Sequence, residues 1–259
     1  MRYGDIEVQH DGYVATLEIQ RPPNNFFDVE LINHLGDAFE ALDEDDGTRV
    51  LVLCSEGKHF CAGNNFADSA RNAVRDRTPG ARNPLYQAAV RLFSAKKPVI
   101  AAVQGAAVGG GFGLAVMADY RVVSPAARFT ANFVKLGFHP GFGLTHTLPK
   151  IVGQQKANLL FMTGRRINGE TAFEWGLADI LTDADDLRPA AARLAAEIAE
   201  NAPLAVESVR ATGRQGLPEA VQAATDWENA EQARLQKTED HKEGVRAVAE
   251  RRPGNFARR

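Results

Sequence analysis

Cysteine is scarce in this chain. Cys54 and Cys61 are the only two, both in or beside apolar segments. That excludes a disulfide-stapled scaffold and points to a reducing compartment. Two cysteines alone do not make a metal site, and no metal is expected. Apolar runs of bilayer-spanning length are missing. The opening Met1-Arg2-Tyr3-Gly4-Asp5 lacks the apolar segment of a secretory signal. A cytoplasmic location and no membrane partner are the expectation. An excess of positive charge is missing too: 30 Lys and Arg against 33 Asp and Glu leave a net charge of -3. No basic field therefore argues for a nucleic-acid partner. Internal repeats, low-complexity segments and a G-x-x-x-x-G-K-[ST] phosphate loop are also lacking. What remains is 259 residues, 44% hydrophobic, enough to bury a large core in one domain, or in one domain plus a helical appendage.

Strand and helix signals alternate through the first half. Val14–Ile19 alternates like a half-buried strand, ended by Arg21-Pro22-Pro23. Asp28 is a predicted N-cap for a helix with Ile32, Leu35, Phe39 and Leu42 on one face. Val50–Leu53 and Pro98–Val103 read as buried strands, Pro84–Phe93 as a helix, and 120–123 and 128–130 as short strands. This order predicts an α/β core with crossover connections. From Gln154 onward the strand signals nearly vanish. Helices are predicted over 157–163, closed by Gly164, then over 187–199, 203–214 and 218–235, with a last one capped by Thr238. The expected division is a core over residues 1–200 and a helical oligomerisation region over 201–259.

Two glycine-punctuated turns stand out: Gly57-Lys58-His59-Phe60-Cys61-Ala62-Gly63-Asn64-Asn65 and Gly105-Ala106-Ala107-Val108-Gly109-Gly110-Gly111-Phe112-Gly113. Each follows an apolar strand, and the second opens into a helix-like run. Glycines let backbone N–H groups approach a ligand, and a helix N-terminus adds unpaired donors. Two such donors converging on one point make an oxyanion hole. The competing reading is tight helix–sheet packing. A dinucleotide site fits poorly, because the G-x-G-x-x-G spacing is wrong and no ribose-binding acid follows.

The segments Pro98–Gly105, Val108–Gly111 and Asp119, together with Phe60–Asn64, resemble the crotonase (enoyl-CoA hydratase/isomerase) family. So do Leu136–Gly143, the run from Thr163-Gly164 through Ala172 to Trp175–Ala178, and Glu239–Val245 with Arg251-Arg252-Pro253. The resemblance implies a crotonase-like ββα spiral core with a C-terminal helical region that builds trimers, often paired into hexamers. It implies an acyl-CoA or enoyl-CoA thioester substrate and no separate cofactor, CoA being part of the substrate. By position, the N–H groups of Asn64 and Gly110 would hold the thioester oxygen as it becomes an enolate. Ala62, Asn65, Phe66, Phe112, Gly113, Phe133 and Gly141 would line the substrate site.

The pattern breaks where acids are expected. The family's hydratases place glutamates where this chain has Gly113 and Phe133, and its isomerases place an aspartate where it has Gly141. Glycine and phenylalanine transfer no protons. His139, two residues before Gly141, is the candidate acid/base group, with a packed loop histidine as the bland alternative. His146, His59, Glu56 and Asp68 are weaker candidates, and Asp119 matches a structural position. Phe112, Phe133, Phe138 and Phe142 suggest a narrow aromatic pocket. Arg71, Arg75, Arg77, Arg82, Lys242, Arg251 and Arg252 are available for the CoA phosphates. Three readings stay open: a hydratase/isomerase, an acyl-CoA-binding protein without catalysis, and another enolate reaction such as thioester hydrolysis or decarboxylation.

Overall fold

The computed structural model describes residues 1–64 and 82–259. The chain starts with strands β1 (Arg2–Tyr3), β2 (Ile6–Asp11) and β3 (Val14–Ile19), then helix α1 (Val29–Asp43) and β4 (Val50–Ser55). Next come α2 (Pro84–Phe93), β5 (Val99–Val103), β6 (Ala106–Val108), α3 (Gly110–Met117), β7 (Tyr120–Val123) and β8 (Arg128–Thr130). After a 3-10 turn over Asn132–Leu136 follow α4 (Leu144–Val152), α5 (Gln154–Thr163), β9 (Arg166–Asn168), α6 (Gly169–Glu174) and β10 (Ile180–Leu181). The last helices are α7 (Leu187–Ala199), α8 (Pro203–Gly213), α9 (Leu217–Leu235) and α10 (Glu239–Ala249).

A seven-stranded sheet runs in the order β1-β2-β3-β4-β5-β7-β10, and a three-stranded sheet in the order β6-β8-β9. The large sheet is antiparallel through its first hairpins and parallel from β3 onward. Successive turns of the chain place one strand in the large sheet and a shorter one in the small sheet. β5 passes to β6 through Gln104-Gly105, and β7 passes to β8 through residues 124–127. Isolated parallel bridges, Cys61 to Ala107 and Phe27 to Asn64, extend the same layer outward. This is a ββα spiral.

The period-2 geometry of a strand sends alternate residues to opposite faces. On β4, Leu51 and Leu53 join the larger core with α1 and α2, whereas Val50, Val52 and Cys54 meet α7 on the other side. Both faces are covered, which is why β4 and β5 read as continuous apolar runs. Caps fall as predicted: Asp28 accepts from the Leu31 N–H at 2.9 Å and Thr238 from the His241 N–H at 3.1 Å. Gly164, at φ 55, closes α5.

The second half differs from expectation in β9 and β10, of three and two residues. They are too short to carry a periodic signal, and they are set by pairing with β8 and β7. Among the described residues no helix is long and apolar enough to cross a membrane.

Candidate active site

The two glycine turns lie side by side. Cys61 N–H donates to Ala106 O at 2.9 Å, and Val108 N–H donates back to Cys61 O at 3.0 Å. Approach this close demands glycine at specific points. At Gly63, φ is 86 and a Cβ would lie 2.6 Å from Val108 O. At Gly111 a Cβ would collide with the Cys61 carbonyl. Asn25, fully buried, donates to the carbonyls of Glu56 and His59 and so braces the first turn. Tight packing and an exposed backbone edge are therefore two results of the same glycines.

Beyond this seam lies a cavity of about 210 Å³. Ala62, Gly63 and Asn64 supply one wall and Val108, Gly109 and Gly110 the next. Gly110 is the first residue of α3, whose N-cap Gly109 has no capping side chain. The first N–H groups of a helix have no intrahelical acceptor. Among the described residues, neither the Asn64 nor the Gly110 N–H meets a protein acceptor. α3 itself is buried throughout, and its positive end faces a cavity lined mainly by apolar side chains. Phe27, Phe133, Phe138 and Phe142 supply much of the apolar lining.

The far wall comes from helices distant in sequence. Asn83, Leu85 and Tyr86 enter from the start of α2 and Gln232 from α9. The Tyr86 hydroxyl donates to Gln232 Oε1 at 2.8 Å, and Gln232 Nε2 donates to His139 O at 2.9 Å. Asn83 Nδ2 donates to Asn229 Oδ1 at 3.1 Å, a second tie between the same helices. One turn before Gln232, Glu228 is fully buried and accepts from the Gly143 N–H, the Thr145 N–H and the Thr145 hydroxyl, capping α4 from outside. Burial pushes its carboxyl up to about 7, against the opposing pull of those donors. α10 packs on the chain's own 132–138 segment, with His241 Nδ1 2.7 Å from Leu136 O, and brings Val248 to the cavity rim.

Of the residues proposed from sequence, Asn64, Gly110, Ala62, Phe133 and Gly141 meet at this cavity. Phe112 does not: it is fully buried against Phe129, ring centroids 5.3 Å apart. Gly113 also lies off the lining, behind Phe142. Asn65, Phe66, Asp68, Arg71, Arg75 and Arg77 lie outside the described residues.

His139 is half-buried and absent from the cavity wall; its ring Nδ1 lies 2.9 Å from Pro140 O, and its backbone oxygen, not its ring, reaches Gln232. His146 is also off the wall, and burial followed by nearby Lys150 lowers its pKa. His59 accepts from the Ala106 N–H at 3.2 Å, and burial followed by Lys58 lowers its pKa. Asp119 pairs with Arg210 and Arg214 and accepts from the Val99 N–H, tying α8 to the large sheet. Arg82 sits 3.7 Å from Asp226, Lys242 pairs with Glu239, and Arg252 pairs with Glu243 and Glu250.

Tyr86, Gln232 and Glu228 were not anticipated. A signal was present: Val221, Thr225, Glu228 and Gln232 recur at helical spacing and form the buried stripe of α9. An apolar-only search for buried faces passes over it.

The sequence profile of the enoyl-CoA hydratase/isomerase family matches residues 9–259. A crotonyl-CoA hydratase of Syntrophomonas wolfei is 34% identical over 260 residues, covering 99% of each chain. A carnitinyl-CoA dehydratase of Proteus mirabilis is 35% identical over 246 residues, 93% of this chain and 94% of that one. Among solved structures, an enoyl-CoA hydratase/isomerase of Pseudoalteromonas atlantica superposes with a TM-score of 0.86 at 29% identity, over 98% of this chain and 100% of its own. The spiral of paired strands, the cavity at its glycine turns and these likenesses along the whole chain lead to one conclusion: the protein belongs to the crotonase (enoyl-CoA hydratase/isomerase) superfamily of acyl-CoA thioester enzymes.

Proposed function

We infer that the chain adds water to, or removes it from, a short acyl-CoA thioester. The thioester oxygen sits between the N–H groups of Asn64 and Gly110 and takes up charge there as an enolate. The carrying observation is this pair of backbone donors, without protein acceptors among the described residues, on the wall of an apolar cavity. In a water-poor site such donors stabilise developing charge strongly. The cavity's size and phenylalanine lining favour a short acyl chain. Both relatives named above are called hydratase or dehydratase of a CoA thioester, which supports the same chemistry.

The test is hydration of crotonyl-CoA by the purified protein, alongside its affinity for a thioether analogue lacking the carbonyl oxygen. Turnover, with weaker binding of the thioether, is expected. Equal binding of both would remove the oxyanion pair from the account.

One observation favours a second reading, an acyl-CoA-binding protein without turnover. Among the described residues, no carboxylate or histidine lines the cavity. Solvent deuterium entering at the thioester α-carbon would exclude it.

We also propose that residues 201–259 serve assembly of identical subunits. α8 buries none of its residues and leaves Leu204 79% and Val209 74% exposed.

A further inference from the structure

The described wall of the cavity carries one side chain able to exchange a proton. Its polar side chains are those of Asn64, Asn83, Asn132, Gln232 and Tyr86, and the amides among them neither gain nor lose protons near neutrality. Tyr86 is buried, and its hydroxyl donates to Gln232 Oε1 at 2.8 Å. Gln232 is buried as well, and its Nε2 donates to the His139 carbonyl at 2.9 Å. A carbonyl only accepts, so this bond fixes which end of the amide faces Tyr86. The phenol oxygen is thereby held beside the Gln232 amide at the cavity wall. The pair also fills the space beside Gly141: a Cβ there would collide with the Tyr86 oxygen and lie 2.6 Å from Gln232 Nε2.

We propose that Tyr86 is the proton-transferring residue of this cavity and that Gln232 positions it. This rests on the thioester reading above. In hydration, the oxygen of water bonds to the β-carbon while the π pair of the C=C bond moves through to the thioester oxygen, giving the enolate. As the enolate collapses, the Tyr86 O–H turns about its C–O bond away from Gln232 Oε1, and its proton passes to the α-carbon and forms the new C–H bond. The proton shed by the water returns to the Tyr86 oxygen. The phenol is regenerated, and water supplies every added atom.

The experiment measures crotonyl-CoA affinity by calorimetry, and hydration rate across pH, for the wild type, Tyr86→Phe and Gln232→Met. Removing a proton-transfer group slows such reactions by about a hundredfold or more. Tyr86→Phe should bind within about twofold of wild type and lose at least about a hundredfold in kcat. Gln232→Met should lower kcat more than it raises KM and displace the pH profile. A Tyr86→Phe protein that hydrates at the wild-type rate overturns the assignment and leaves the thioester reading standing. A wild type that binds no enoyl-CoA overturns both. Should Tyr86→Phe fail to fold, the Gln232→Met profile decides, and an unmoved profile with normal kcat overturns the proposal.

Discussion

Phe142 fills the space over Gly113: a Cβ at 113 would lie 2.7 Å from Phe142 Cδ1 and 2.8 Å from its Cβ. Phe142 holds φ 64, a left-handed conformation uncommon for a bulky residue, and packs on Phe27 with ring centroids 5.7 Å apart. Its Cβ is fixed to the backbone and cannot swing aside. Gly113→Ala should therefore destabilise the fold by about 1–3 kcal/mol, read from denaturant unfolding. Gly113→Glu alone should add no hydratase activity, because the carboxylate has no room. A rate gain in that single variant would contradict the packing argument.

His139→Gln should change kcat/KM by less than about threefold. The ring is turned to Pro140 O and stands off the cavity wall, while the backbone oxygen that holds Gln232 is untouched by the substitution. A loss of about a hundredfold would return the histidine to the chemistry.

Glu228 makes stability depend on pH. Its folded pKa of about 7 lies above its ordinary 4.5 because burial disfavours the charged form. The folded state then holds the proton more tightly than the unfolded chain. Stability from this group is fully present below the unfolded value and is lost as pH rises through about 7. Unfolding free energy should fall between pH 5 and pH 8 by an amount on the order of 3 kcal/mol. Glu228→Gln should flatten that slope, and equilibrium denaturation at several pH values measures it.

Both thiols should resist alkylation in the native protein. Cys54 and Cys61 are fully buried, and burial pushes each up to about 12, so almost no thiolate forms near neutrality. Mass spectrometry after iodoacetamide should find them modified only once denaturant is present.

Leu204→Glu together with Val209→Glu should lower the mass of the assembled particle in light scattering without altering the circular dichroism of the chain. A charge on each exposed apolar position is tolerated in water and disfavoured in an apolar interface. Unchanged mass would place the assembly contact elsewhere.

Much of the spiral could be read from sequence because its signals are local. Asp28 and Thr238 announce their helices, and Val50–Leu53 and Val99–Val103 are apolar because both of their faces are covered. The glycine turns were legible for the same reason: each is a run of consecutive residues, although the close approach it permits is to the other turn, far along the chain. Arg166–Asn168 and Ile180–Leu181 were not legible, since so few residues hold no period and their pairing partners decide their shape. Tyr86 and Gln232 were hidden differently. They lie 146 positions apart, and nothing near either residue announces the other. Phe112 misled because it adjoins the turn in sequence yet points into the core as part of a helix buried on every side.

The placement of Gln232 on α9 has a consequence for the order of events in synthesis. Both glycine turns belong to the first half of the 259-residue chain, whereas the residue that holds Tyr86 is made near its end. A nascent chain lacking α9 can contain the whole oxyanion seam and Tyr86 and still lack the amide that holds the phenol. The wall is finished only when α9 packs against α2, so a truncated product would carry the backbone donors and a phenol left without its Gln232 partner.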